Sequence, residues 1–492
     1  MIPPAQKEPE VLGKGFGEEP FFKRVCPNKT RRQSRGDDLE AICAVSTALA
    51  EGAVSVIRIS GSDALKIAEM IFFPYGDRAV SEMDGYTCAY GRVEDNGERI
   101  DDAVLTVFRA PHSYTGEDVA EISCHGGIYV TKRILRLCTD CGARPAERGE
   151  FTRKAFINGK LSLTQAEAVM EVISAQGELT LRSANLTRQG ALFSKIDGVR
   201  QRLIKLLGEL AAWADYPEED LPEVETDTMR NTVSSALGET EKLIQGYDNG
   251  MLLKSGIPAV IVGKPNVGKS TLMNLLLGYE RAIVTDIAGT TRDLLEETVR
   301  LGDITLRLTD TAGLRDTDDE VERIGVSLAR KKLGESALIL AVFDGSESPD
   351  DADRALIDEV RSSGGRVIAL INKSDIGVDS GYRQLCEGLP YVIEISAKVG
   401  GGREKLEQAA AELFGAVDSG DSVIFVNERQ RYCLGRAKES LSSALEGIDI
   451  GMTPDVVTIS ITEAAAALAE LTGERVTDSV VNEVFSKFCV GK

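Results

Sequence analysis

The stretch Gly263-Lys264-Pro265-Asn266-Val267-Gly268-Lys269-Ser270 constrains this chain more than any other. It fits GxxxxGK[ST], follows the β-like run IPAVIV and precedes the helical pattern TLMNLLL. Strand, glycine-rich loop and helix in that order are the context in which this spacing cradles phosphates. The glycines let backbone N–H groups surround the phosphates, and the helix N-terminus adds partial positive charge. Lys269 is then placed to reach the β- and γ-phosphates, and the Ser270 hydroxyl to bind Mg2+.

Around this unit, from about 254 to 417, the runs IPAVIV, ITLRLTD, ALILAVFD, RVIALINK and YVIEIS alternate with helical segments. Such alternation predicts a doubly wound parallel α/β domain. Three further motifs follow in order. Asp310-Thr311-Ala312-Gly313 ends ITLRLTD, with Asp310 expected to hold the metal's water shell and the Gly313 N–H to touch the γ-phosphate. Asn372-Lys373-Ser374-Asp375 ends RVIALI; the Asp375 carboxylate can accept from both N1–H and the 2-amino group of guanine, which selects GTP over ATP. Ser396-Ala397-Lys398 supplies backbone contact to the base. Between the first two motifs lies Gly289-Thr290-Thr291-Arg292-Asp293, whose Thr291 is the candidate second Mg2+ ligand.

Many related pockets orient the attacking water with a Gln just after DTAG. Here Leu314 stands there, and an alkyl chain cannot hold water. Two features offer compensation. The Asn266 amide oxygen can help to bind a monovalent cation, which would neutralise charge between the β- and γ-phosphates. The acidic run DDEVERIG offers Glu320 and Glu322 as carboxylates able to orient water, although acids at a helix start are also favoured by the helix dipole.

The rest of the chain divides by pattern. Residues 1–36 mix Pro, Gly and both charges without period, and are expected to be a disordered leader. From 37 to 150, VSVIRIS, AVLTVF and VAEISC alternate like half-buried strands between helical stretches, which indicates an α+β domain. Long amphipathic helices occupy 151–253 and return over 418–492. The one-sided apolar stripes of both helical pieces need cover, so the α/β domain reads as an insertion into one discontinuous helical domain. A formal net charge of −21 opposes broad polyanion binding, so a nucleic-acid partner needs a local basic patch or a helper protein. Nine scattered cysteines without a secretory signal point to reduced thiols. No apolar run approaches the roughly 18 residues that a membrane span needs, so the cytoplasm is the expected compartment.

Together with IRISG at 57–61, SYTGED at 113–118, HGG at 125–127, GEFTRKAFINGKLSLTQAEA at 149–168 and the terminal Cys489-Val490-Gly491-Lys492, these motifs resemble the MnmE (TrmE) family of tRNA modification GTPases. The resemblance runs from about 37 to 492. It implies a folate-binding and dimerising N-terminal domain, a discontinuous helical domain and an inserted P-loop G domain. It implies GTP contacts from Asn266, Val267, Gly268, Lys269, Ser270 and Thr271, from Thr285, Asp286, Ile287, Ala288, Gly289, Thr290 and Thr291, and from Asp310, Thr311, Ala312 and Gly313. Asn372, Lys373, Asp375, Ser396, Ala397 and Lys398 complete that set. By the same resemblance Asn266, Thr285, Ile287 and Thr290 surround K+, Ser270 and Thr291 hold Mg2+, and Glu322 is the catalytic acid that positions water.

The resemblance also implies a reduced-folate site (5-formyl- or 5,10-methylene-tetrahydrofolate) at Arg58, Glu121, Lys160 and Lys492, with Cys489 a candidate thiol in the tail. A carboxylate such as Glu121 suits the donor edge of a pterin, and Arg58 or Lys160 suits the anionic glutamate tail. The implied assembly is a homodimer joined by an FAD- and NADH-using partner of the MnmG (GidA) type, in a heterotetramer or larger, acting on the wobble uridine of tRNA. One departure is the loop STALAEGAVSV before IRISG, where Gly52 stands alone in place of the family's Pro- and Gly-rich sequence. The rival readings are a ribosome-assembly GTPase and a folate-dependent methyltransferase with a regulatory G domain. The first usually carries a basic RNA-binding stretch after its G domain, which is missing here.

Overall fold

The computed structural model describes residues 41–215, 225–279, 296–302, 304–309, 336–414 and 424–492. The expected leader at 1–36 lies outside the described residues. Two units partition the chain: one runs to Lys160 and regains Asn482–Lys492, and the other spans Leu161–Val481.

The first unit is built on a seven-stranded sheet of order β3-β4-β5-β6-β2-β1-β7. Its strands are β1 (Ile42–Val45), β2 (Val54–Ser60), β3 (Phe72–Pro74), β4 (Thr87–Asp95), β5 (Glu98–Phe108), β6 (Val119–His125) and β7 (Arg144–Pro145). Alternation in β2 and β6 turns Ile57, Ile59, Ala120 and Ile122 to one face, all fully buried. Helices α1 (Ala64–Ile71) and α2 (Ile128–Asp140) cover that face. The opposite periodicity puts Arg58 of β2 directly beside Glu121 of β6. The CxxC cysteines, Cys138 and Cys141, lie in this core with Cys43 and Cys124. Burial pushes the thiols of Cys43 and Cys124 up to about 11, so they stay protonated and act as packing.

Two boundaries differ from the sequence pattern. Helix α3 (Glu150–Ile157) falls almost wholly in the 151–253 range expected to be the helical part, but it belongs to the first unit. Its Phe151 is fully buried against Ile42 and Ala44. Likewise the last residues of the 418–492 segment, from Asn482 onward, join the first unit and carry the CVGK tail with them.

In the second unit, α4 (Leu163–Ser174), α5 (Glu178–Arg188), α6 (Ala191–Asp215) and α7 (Thr226–Ser255) precede a six-stranded sheet. Past that sheet, α12 (Glu428–Asp449), α13 (Pro454–Thr472) and α14 (Asp478–Ser486), whose residues from Asn482 belong to the first unit, follow three short helices of the α/β region, α9 (Asp351–Ser362), α10 (Gly381–Leu385) and α11 (Arg403–Leu413). Leu203 and Val233 from the first segment share one core with Leu441 and Leu468 from the second, so the helical domain is discontinuous. The inserted sheet has the order β13-β12-β11-β8-β10-β9, from β8 (Ile257–Val262), β9 (Glu296–Leu301), β10 (Ile304–Thr309), β11 (Leu338–Asp344), β12 (Arg366–Asn372) and β13 (Tyr391–Glu394). All its pairings are parallel except β9 with β10. Apolar clusters occupy both faces, as a doubly wound sheet requires. The edge strand β9 is a sixth strand beyond the five read from the sequence. The chain leaves β8 toward β10 on one side and later reaches β11 on the other, so the C-terminal ends of β8 and β11 mark a topological switch point.

Candidate functional site

The phosphate loop leaves β8 at that switch point, and α8 (Lys269–Tyr279) starts at its end. Lys269 Nζ donates to the carbonyls of Gly263 (2.8 Å) and Lys264 (2.7 Å), which folds the side chain back over the loop. Burial pushes this ammonium below its usual 10.5. Asn266 has a φ of +64°, in the left-handed region. Gly268 has a φ of +98°, and a Cβ there would lie 2.2 Å from Asn372 Nδ2. Only glycine meets both demands.

That close approach exists because Asn372 bridges three segments. Its Nδ2 donates to the Val267 carbonyl at 2.8 Å, and its Oδ1 accepts from the Ala397 N–H at 2.9 Å. Ser396 Oγ donates to Asp375 Oδ1 at 2.6 Å. That hydrogen bond holds the Asp375 carboxyl below its usual range, so it is an anion able to accept further hydrogen bonds. Lys373, with φ +61°, pairs with the Asp344 carboxylate at the end of β11. Burial pushes Asp344 up, but the hydrogen bonds from Lys373 and Ser346 outweigh it and leave the carboxyl below its ordinary value. Asp344 went unremarked in the sequence although it ends a strand already recognised there; its role needs a partner 29 residues away.

Of the expected nucleotide set, Asn266, Val267, Gly268, Lys269, Ser270, Thr271, Asn372, Lys373, Asp375, Ser396, Ala397 and Lys398 are described. Thr285, Asp286, Ile287, Ala288, Gly289, Thr290, Thr291, Asp310, Thr311, Ala312, Gly313, Glu320 and Glu322 lie outside the described residues. Ser270 is exposed at the first turn of α8, and Asn266 is exposed on the loop. Hydroxyl and amide oxygens are hard donors, and as such they fit Mg2+ and K+.

A second polar site lies in the first unit. Arg58 Nε donates to Glu121 Oε1 at 2.7 Å. The guanidinium carbon sits 5.7 Å from the Tyr114 ring centroid and 5.6 Å from that of Phe151. Arg58 Nη1 also donates to the Gly491 carbonyl at 3.3 Å. The tail is fastened there: Phe151 N–H donates to Lys492 O at 3.2 Å, and Gly149 N–H to Cys489 O at 3.3 Å. Gly491 has a φ of +94°, and a Cβ would lie 2.3 Å from the Val45 carbonyl. Lys160 Nζ donates to the Pro111 carbonyl at 2.9 Å, while the Cys489 thiol is exposed. The rings of Tyr114 and Phe151 were missed, although both lie inside motifs quoted from the sequence. Among the described residues no group of His, Cys, Asp and Glu forms a metal centre, and no helix is long and apolar enough to cross a membrane.

Comparison with known proteins matches residues 41–160 to the GTP-binding protein TrmE N-terminus and residues 163–489 to the MnmE helical domain. The tRNA modification GTPase MnmE of Symbiobacterium thermophilum is 41% identical over 457 residues, covering 92% of this chain and 99% of its own. That of Desulforamulus reducens is 39% identical over 460 residues, again 92% and 99%. Among solved structures, Aquifex aeolicus Era bound to GDP and aluminium fluoride is 26% identical, with a TM-score of 0.26 over 37% of this chain and 66% of that one. With two family models in register along its length and full-length relatives at this identity, the chain belongs to the MnmE (TrmE) family of tRNA modification GTPases.

Proposed function

We propose that this GTP hydrolase is stimulated by K+ through pairing of two G domains. With an FAD- and NADH-dependent partner of the MnmG type it installs an aminomethyl-type (carboxymethylaminomethyl) group on C5 of the wobble uridine of certain tRNAs. A reduced folate is the one-carbon donor, and the reaction takes place in the cytoplasm. The observation that carries the GTP reading is the Asn372 bridge: one side chain ties the Val267 carbonyl of the phosphate loop to the Ala397 N–H beside the base-reading Asp375. Base recognition and phosphate binding are therefore mechanically joined.

In this reading Lys269 and the loop N–H groups hold the β- and γ-phosphates, and Asp375 accepts from the guanine edge. Ser270, with Thr291, would hold Mg2+; Asn266, with Thr285, Ile287 and Thr290, would hold K+. When bound, the two cations supply positive charge at the phosphates as the bond to the γ-phosphate breaks. Glu322 orients the attacking water, the role that a Gln serves elsewhere. The Arg58–Glu121 pair, with Lys160 and Lys492, binds the folate: the carboxylate faces the pterin donor edge and the cations face its anionic tail. Cys489 stands as the candidate thiol of the tail.

GTP turnover of the full chain in K+ against Na+ tests the reading. The expected result is fast hydrolysis in K+ with dimerisation, slow hydrolysis in Na+, and loss of turnover with intact GTP binding in Glu322→Ala. Equal rates in both salts by a monomer would refute it. Analysis of wobble-uridine modification in a deletion strain tests the tRNA step and separates it from ribosome assembly.

A further inference from the structure

We propose that Lys264, the second residue of the phosphate loop, is a positioning residue for nucleotide binding: its side chain ties the loop to the first turn of α9 and so fixes Lys269 and Asn266. The ammonium donates to Asp350 Oδ2 and Asp353 Oδ2, both at 2.8 Å. With two of its three N–H groups spent on carboxylates, it is not aimed at phosphate.

The anchor is itself rigid. Asp350 is the N-cap of α9; its Oδ1 accepts from Asp353 N–H at 3.0 Å, and its own N–H donates to Asp353 Oδ2 at 3.2 Å. Tyr382, fully buried, donates its hydroxyl to the same Asp353 oxygen at 3.0 Å. Asp353 is sealed from solvent, and its Oδ1 has no hydrogen-bond partner. A buried carboxylate is tolerated only beside a positive charge. Among the described residues, Lys264 is the cation paired with it.

The loop end of this strut is where nucleotide chemistry begins. The Lys264 carbonyl is one of the two acceptors that hold Lys269 Nζ, so a fixed Lys264 fixes the ammonium that meets the phosphates. Two residues on, Asn266 keeps a left-handed backbone, which Asn adopts more readily than other non-glycine residues. Lys264 also neutralises two carboxylates that would otherwise repel an incoming polyphosphate.

The test uses the full chain, a fluorescent GDP analogue and GTP turnover. Lys264→Met is expected to raise the GDP Kd and the GTP KM together by about tenfold, with the defect falling on KM rather than kcat, as loss of uniform binding requires. Lys264→Arg, whose guanidinium can bridge both carboxylates, rescues both constants. Because Lys264→Met also strands the Asp353 charge, Lys264→Met/Asp353→Asn is measured beside it. Asn at 353 keeps the Tyr382 and Asp350 contacts without the charge, so thermal stability returns while nucleotide affinity stays low. The milder Asp350→Asn keeps the cap and one of the two anchors, and raises the GDP Kd by about threefold. Recovery of GDP affinity in the double variant, an Arg variant as weak as Met, or wild-type affinity in Asp350→Asn would each overturn the proposal.

Discussion

Asn372 Nδ2 lies 2.8 Å from the Val267 carbonyl, so the segment from Asn372 to Asp375 holds the glycine-rich loop between β8 and α8. Asn372→Ala strands two buried backbone groups, the Val267 carbonyl and the Ala397 N–H. Each unsatisfied group costs about 1–3 kcal/mol. Urea denaturation is expected to show that loss, and GDP affinity should fall with it. A variant that loses affinity at wild-type stability would contradict the bridge.

Asp375 is exposed, is held by Ser396 and is ionised at neutral pH. Asp375→Asn replaces an acceptor by an amide that both donates and accepts. Losing a charge-assisted hydrogen bond of ~1.5–3 kcal/mol lowers GTP affinity by roughly 10- to 100-fold. Xanthosine triphosphate, which carries an oxygen where guanine has its amino group, should gain affinity. Competition binding with the two nucleotides measures the exchange.

Glu121 accepts from Arg58 at 2.7 Å, and the Arg58 guanidinium lies against the rings of Tyr114 and Phe151. Glu121→Ala is expected to abolish reduced-folate binding while leaving GTP affinity intact. Titration calorimetry with 5-formyltetrahydrofolate and with GDP reads the two separately. Wild-type folate affinity would remove Glu121 from the site.

Lys373 and Ser346 hold the Asp344 carboxyl below its ordinary value of 3.8. A depressed carboxylate stabilises the native state above its unfolded pKa and loses that contribution as pH falls through its folded value. The difference in unfolding free energy between the wild type and Asp344→Asn should therefore be constant from neutral pH down to about 4 and shrink below it. A gap that widens on acidification would reverse the assignment.

The loop and strand ends on which the nucleotide motifs lie were legible because their signals are local. The run from Gly263 to Ser270 lies between a strand and a helix that announce themselves by apolar pattern, and Asn372 and Asp375 sit together at one strand end. The strand β9 was not legible: it is an edge strand of the sequence EETVRL, with no continuous apolar run to mark it. Helix α3 falls within the 151–253 range of the helical part, because a helical pattern states that one face is buried, not against what. Tyr114 and Phe151 escaped notice for a related reason, since an aromatic in a motif reads as core until a guanidinium is found against it.

By itself the sequence determined the family, its GTPase chemistry and the fold class, all written in motifs whose residues lie near one another along the chain. Only the tertiary structure decided which distant groups act together. Lys264 meets Asp353 across 89 positions, and Arg58 meets Gly491 across 433. Ion pairs and hydrogen bonds act over a few ångströms, and no local pattern records which residues the packed sheet brings within that reach.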